Sequence, residues 1–173
     1  ADKCVEAVLL ADDEFDAHKS EKADEVSYVF YGVEEVQAKE GIVLGEAVRN
    51  ARRLVNEPSN VMTPAQLATE ALLAGADSGF HVKIYDLAEI EKLGMKAFLE
   101  VARGSDREPK VIAMSYYGNP ESPEVLGLVG KGLCYDSGGY SLKPSTGMET
   151  MHTDMGGAGA VIGAISAIAK MKR

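Results

Sequence analysis

A chain of 173 residues with 27 Asp and Glu against 18 Lys and Arg carries a net charge of −9 and no dense basic run, which argues against nucleic acid as a partner. With 46% hydrophobic and 26% charged residues it can bury a real core, and no apolar run approaches the ~18 residues needed to cross a bilayer, so no membrane association is expected. Cys4 and Cys134 form neither a disulfide framework nor a zinc-finger pattern, and Ala1-Asp2-Lys3-Cys4 lacks the apolar segment of a signal peptide; a reducing, cytoplasmic setting is expected.

Apolar β-branched runs alternate with segments of helical period, the pattern of an α/β fold. Val5 to Leu10 and Val26 to Tyr31 read as strands, separated by the polar stretch Asp12 to Glu25, which reads as a loop or boundary. From Val33 to Asn56 the apolar positions Val36, Leu44, Ala47, Val48, Ala51, Leu54 and Val55 follow a 3.6 period that Pro58 stops, which predicts a long helix. Thr63-Pro64-Ala65-Gln66 offers a capping box with Pro at the first helical position, opening a helix to about Gly75. His81 to Tyr85 reads as a strand, Asp86-Leu87-Ala88-Glu89 as a second helix start with Gly94 as its stop, and Lys110 to Tyr116 as another strand. Gly118 to Pro123 is a turn before Val125 to Gly130. The runs around Lys110 and Val125 are almost wholly apolar, as expected of central strands covered on both faces. After Asp154 comes a glycine-rich, nearly uncharged segment that predicts a buried helix in close backbone contact with its neighbours.

Directly beyond Gly130 come Lys131, Asp136, Lys143 and Asp154, where sites form in open α/β sheets. Asp136-Ser137-Gly138-Gly139 imitates the surroundings of a serine-protease nucleophile, but Ser137 would need a histidine base held by a third group. His152 is the nearest in sequence, and Gly-x-Ser-x-Gly is absent. On the other reading Asp136 and Asp154 are hard oxygen ligands for a divalent cation, and the glycines let the chain turn sharply after Asp136. The plain alternative makes Asp154 the N-cap of the last helix and the two lysines solvated surface charges. Spacing leaves these readings open.

The block VGKGLCYDSGGYSLKPSTGMETMHTDMGGAGAV, together with ARRLVNEPSNVMTPAQLA, IYDLAEIEKLGMKAFLEVARGS and, more loosely, FDAHKSEK, resembles the leucyl aminopeptidase family, the cytosolic M17 metallopeptidases. The resemblance covers nearly the whole chain. It implies an α/β fold with a mixed, mainly parallel sheet flanked by helices. Residues 1–32 would end an N-terminal α/β domain, 33–57 would be the linking helix, and 58–173 the first part of the catalytic domain.

By the same resemblance Lys131, Asp136 and Asp154 bind two divalent cations (Zn or Mn, with Mg or Co as further candidates), and Asp136 is shared between them. Lys143 is then the catalytic lysine, polarising the scissile carbonyl as a metal-bridging hydroxide attacks. Met151 lines the pocket for the first side chain of a peptide substrate, preferably apolar. The family assembles as a homo-hexamer.

Cys134, Tyr135 and Tyr140 depart from the usual residues beside the site. A later family segment, Asn-Thr-Asp-Ala-Glu-Gly-Arg, carries two more carboxylates and an arginine that holds bicarbonate, and it does not occur in these 173 residues. The chain alone is therefore expected to be incomplete and weakly active or inactive. The alternative is a non-catalytic interaction subunit, or one half of a split enzyme.

Overall fold

The computed structural model describes residues 2–24 and 26–173; Ala1 and Glu25, the ends of the expected first domain and of the polar stretch, lie outside them. The chain opens with α1 (Asp2–Ala11), which corrects the strand expected over Val5 to Leu10. The physical reason lies in its neighbour, α2 (Glu35–Asn56), which presents Gly41 and Gly45 toward it. A Cβ at Gly41 would lie 2.5 Å from the Asp2 carbonyl oxygen and 2.8 Å from Val5 Cβ, so the two helices approach backbone to side chain and Val5 is fully buried.

The loop that follows α1 is tied to α2 by charge. Asp13 accepts from Arg49 at 3.1 Å and lies 3.5 Å from Arg52, and His18 Nε2 lies 2.7 Å from the buried Glu57 carboxylate just after α2. Residues 26–31 form no strand, a second correction: Val26, Tyr28, Val29 and Tyr31 are exposed, and among the described residues no neighbouring strand pairs with them.

Pro64 to Ser78 form α3, longer than the expected helix because Gly79, at φ +84°, and not Gly75, ends it. Thr63 caps it by accepting from the Gln66 N–H at 3.2 Å, while the Gln66 side chain turns to Glu70 instead of closing a box. Next come β1 (His81–Tyr85), α4 (Leu87–Lys92), α5 (Lys96–Ala102) and β2 (Val111–Ser115). At α4 the full capping box forms: Glu89 N–H donates to Asp86 Oδ1 at 2.9 Å and Asp86 N–H to Glu89 Oε2 at 3.2 Å, with Gly94 at φ +70° after the helix.

β1 and β2 pair antiparallel, His81 opposite Ser115 and Tyr85 opposite Val111. Among the described residues the sheet is this one antiparallel pair within an α/β chain, and the mainly parallel arrangement is not seen in them. Residues 125–130, expected as a central strand, run without assigned structure; Val125 is 83% and Val129 99% exposed. A strand exists only through its partners, and the described residues offer this segment none.

The chain closes with the short α6 (Ser145–Met148), a 3-10 turn (Met151–Thr153) and α7 (Gly156–Lys170). Leu54 of α2, Met62, Leu67 and Ala71 of α3, and Met155 and Ile162 of α7 form the core, with Val82, Ile112 and Met114 of the strand pair packed beneath. Each of the fully buried large side chains contributes roughly 1.5–3 kcal/mol of transfer free energy. The closeness expected of α7 is present: a Cβ at Gly163 would stand 2.9 Å from the Ala47 carbonyl oxygen of α2. Among the described residues no helix is long and apolar enough to cross a membrane.

Candidate active site

Two backbone features bring the charged residues together. The first is a close pass between residues 130–131 and the start of α7. Ala158 N–H donates to the Lys131 carbonyl at 2.8 Å, and a Cβ on Gly130 would lie 2.4 Å from the Gly157 oxygen. Only glycines allow that approach, and it carries Lys131 alongside Asp154, which directly precedes Met155 and α7.

The second is the turn after Asp136. Gly138 and Gly139 adopt φ +89° and +65°, a region L side chains avoid, and a Cβ at Gly138 would also stand 2.3 Å from the Ser141 oxygen. The Lys143 N–H then donates to the Ser137 carbonyl at 3.0 Å, closing the loop so that Lys143 returns over Asp136.

The side chains complete two ion pairs. Lys143 Nζ lies 2.6 Å from Asp136 Oδ2 and donates to the Asp136 main-chain oxygen at 3.0 Å, while Asp136 Oδ1 accepts from the Gly138 N–H at 2.8 Å. The Lys143 ammonium first, and then the Gly138 N–H, hold the Asp136 carboxyl below the usual carboxylate range. Lys131 Nζ donates to Asp154 Oδ1 at 2.8 Å, and that bond raises the Lys131 amine above its ordinary value. Lys131 adds a smaller electrostatic effect in the same direction on Asp136.

Asp154 is therefore not the N-cap of α7: Met155 occupies that position and no side chain caps the helix. Nor are the lysines simple solvated charges. Ser137, in turn, has no base. Its hydroxyl accepts a long 3.5 Å bond from the Gly139 N–H, and among the described residues no histidine hydrogen-bonds to it. Burial pushes the Cys134 thiol up to about 11, which keeps that neighbour of Asp136 protonated.

Asp154 Oδ2 bears on whether the centre suits a cation. It is buried and lacks a well-directed hydrogen-bond donor even though Lys131 Nζ is 2.7 Å away, an acceptor that a cation would satisfy. Two carboxylates and one amine fit part of a divalent-cation shell. Among the described residues no three His, Cys, Asp or Glu side chains converge, so they fit it only in part.

A cavity of about 610 Å³ opens beside Lys143, between the end of α2 and residues 135–152. Met151, half-buried in the 3-10 turn, does not line it, whereas Glu149 and His152 do. The sequence singled out His152 only as a candidate base for Ser137 and did not single out Glu149, because the cavity both line depends on Asn56 and Pro58 arriving from far away in the chain.

Fold and site together define an α/β protein with a carboxylate–lysine centre suited to divalent-cation chemistry. Residues 49–173 match the cytosol aminopeptidase family, catalytic domain, and the chain belongs to that family. A probable cytosol aminopeptidase of Clostridium perfringens is 47% identical over 96% of this chain and 36% of its own length. One of Treponema denticola is 47% identical over 99% of this chain and 38% of its own. The chain thus spans little more than a third of these curated relatives. Among solved structures, a Caenorhabditis elegans leucine aminopeptidase superposes with a TM-score of 0.85 at 31% identity, covering 97% of this chain and 35% of that one. The bottromycin maturation enzyme BotP in complex with Mn gives 0.82 at 34% identity, over 96% and 35%.

Proposed function

We propose that this chain forms part of a metal-dependent aminopeptidase that removes N-terminal, preferably apolar, residues from peptides. The observation that carries the reading is the pair of aspartate–lysine contacts, Asp136 with Lys143 and Asp154 with Lys131, in which the buried Asp154 Oδ2 has an ammonium 2.7 Å away but no directed hydrogen bond. When bound, two divalent cations, Mn or Zn, would supply a water acidified to hydroxide near neutral pH.

The residues of the chain do the rest. Asp136 and Asp154 would hold the cations, and Lys131, which the Asp154 carboxylate keeps protonated here, would join them as a neutral amine once its proton has passed to solvent. With a cation held at Asp136, the Lys143 ammonium would be free to face the scissile carbonyl and stabilise the oxyanion. Met151 contacts the first side chain of the substrate, and the free α-amine is taken at the same centre, which confines cleavage to the N-terminus. In this reading residues 1–32 close an N-terminal domain, 33–57 link, and 58–173 begin the catalytic domain. The whole protein works as a cytoplasmic hexamer and completes its centre with further carboxylates and a bicarbonate.

Hydrolysis of leucine p-nitroanilide tests this. The full-length protein should turn over with added Mn or Zn and stop with a chelator, while the 173-residue chain should be weak or inactive. No turnover by the metal-loaded full-length protein would overturn the proposal.

A second reading, a segment that operates by pairing with another polypeptide, draws on the exposed Val125, Leu126 and Val129. Native mass spectrometry of the isolated chain checks it: a strictly monomeric chain would count against it.

A further inference from the structure

The cavity beside Lys143 has a volume in the range of small-ligand sites and mixed walls. Pro58, Tyr135, Leu142 and Met148 offer apolar surface, and the Tyr135 hydroxyl is tied down by donating to the Met148 carbonyl at 3.3 Å. Glu149 and His152 offer polar groups, and among the described residues neither side chain has a hydrogen-bond or ion-pair partner. Lys143, the one Lys or Arg in the lining, is held by two oxygens of Asp136 here and is assigned to the scissile carbonyl in the aminopeptidase reading, so in neither state is it the partner of Glu149.

An open cleft with apolar walls and an exposed, unpaired Glu149 carboxylate among its lining residues matches a side chain with a methylene stem and a cationic tip. We infer that this cavity is a specificity pocket for a basic residue, Lys or Arg, on the leaving-group side of the scissile bond, with Glu149 as its determinant. The inference rests on the aminopeptidase reading for its orientation. Lys143 marks the scissile carbonyl, and Met151, assigned there to the N-terminal side chain, lies outside this cavity. The pocket therefore falls to the residue beyond the cleaved bond.

The test compares the dipeptides Leu-Lys, Leu-Ala and Leu-Glu on the full-length, Mn-loaded protein, alongside binding of Leu-Lys and Leu-Glu to the metal-free protein by calorimetry. A partly exposed ion pair predicts kcat/KM and affinity about three- to fivefold higher for Leu-Lys than for Leu-Glu. Glu149→Gln should bring both ratios close to one, Glu149→Asp should retain part of them, and Glu149→Lys should invert them. Equal ratios in the parent protein, or ratios that Glu149→Gln leaves unchanged, overturn the inference. Hydrolysis without the preference removes the pocket assignment alone. A binding preference that depends on Glu149 without hydrolysis removes the aminopeptidase reading and leaves the pocket for a cationic side chain standing.

Discussion

Lys143 folds back onto Asp136, its ammonium 2.6 Å from Oδ2 and 3.0 Å from the main-chain oxygen of the same residue. One lysine thus reads both the side chain and the backbone of one aspartate, which fixes the ammonium more tightly than an ordinary surface ion pair does. The left-handed Gly138 and Gly139 make that return possible.

Replacing Lys143 tests its assigned chemistry. Removal of a preorganised oxyanion partner typically lowers kcat by about 10²–10³, so Lys143→Ala in the full-length protein should lose that much on leucine p-nitroanilide. Far-ultraviolet circular dichroism should be unchanged, since Lys143 is half-exposed and outside the core. A tenfold or smaller loss would remove Lys143 from the chemical step.

Ser137 provides the opposite case. Its hydroxyl makes one 3.5 Å contact with its own turn and no histidine bonds to it. Ser137→Ala should keep kcat/KM within about twofold, below the ~0.5–1.5 kcal/mol of a normal hydrogen bond, and a fluorophosphonate should not label the protein. A chelator should abolish hydrolysis in parent and variant alike, and Mn should restore it. Covalent labelling of Ser137 would contradict the metal reading at its root.

How much of this was legible in the sequence depended on whether the cause was local. Thr63, Asp86 and Gly94 announce helix ends through their own side chains or backbone, and α2 and α7 through period and composition. Strands β1 and β2 also matched, though only their partner register shows that they are antiparallel. Val5 to Leu10 misled because a short apolar run fits either period, and Gly41 and Gly45, which select the helix, stand some 35 residues away. Val125 to Gly130 reads as a buried strand, yet burial requires neighbours that lie nowhere else in the described chain. At the site, the four charged positions were visible in the motif, but whether Asp154 caps α7 or pairs with Lys131 was decided by the glycine contact of Gly130 with Gly157.

That glycine contact makes a stability prediction with a built-in contrast. A Cβ at Gly157 would stand 2.7 Å from the Lys131 nitrogen, whereas one at Gly159 meets nothing nearer than 3.5 Å. Gly157→Ala should destabilise by about 1–3 kcal/mol, the usual cost of overpacking against a backbone that cannot yield. Gly159→Ala should be neutral or stabilising by up to ~1 kcal/mol through helix propensity. Urea denaturation of both variants measures this, and equal effects would mean that the pass of residues 130–131 against α7 is looser than drawn.

Lys170 links three helices, lying 2.8 Å from Asp77 of α3 and 3.7 Å from Glu46 of α2 at the end of α7. The Asp77 carboxylate is the main cause of a Lys170 pKa raised above 10.5, against an opposing effect of burial. A raised folded value means that the pair's contribution is fully present below the unfolded value of 10.5 and fades as pH rises through the higher folded one. Lys170→Met should therefore cost about 0.5–1 kcal/mol near neutrality. Denaturation of parent and variant in parallel should show that difference holding from pH 7 to about pH 10 and closing above it. A difference that persists undiminished past the folded value would trace the loss to the packing of the lysine stem between α3 and α7 and not to its charge.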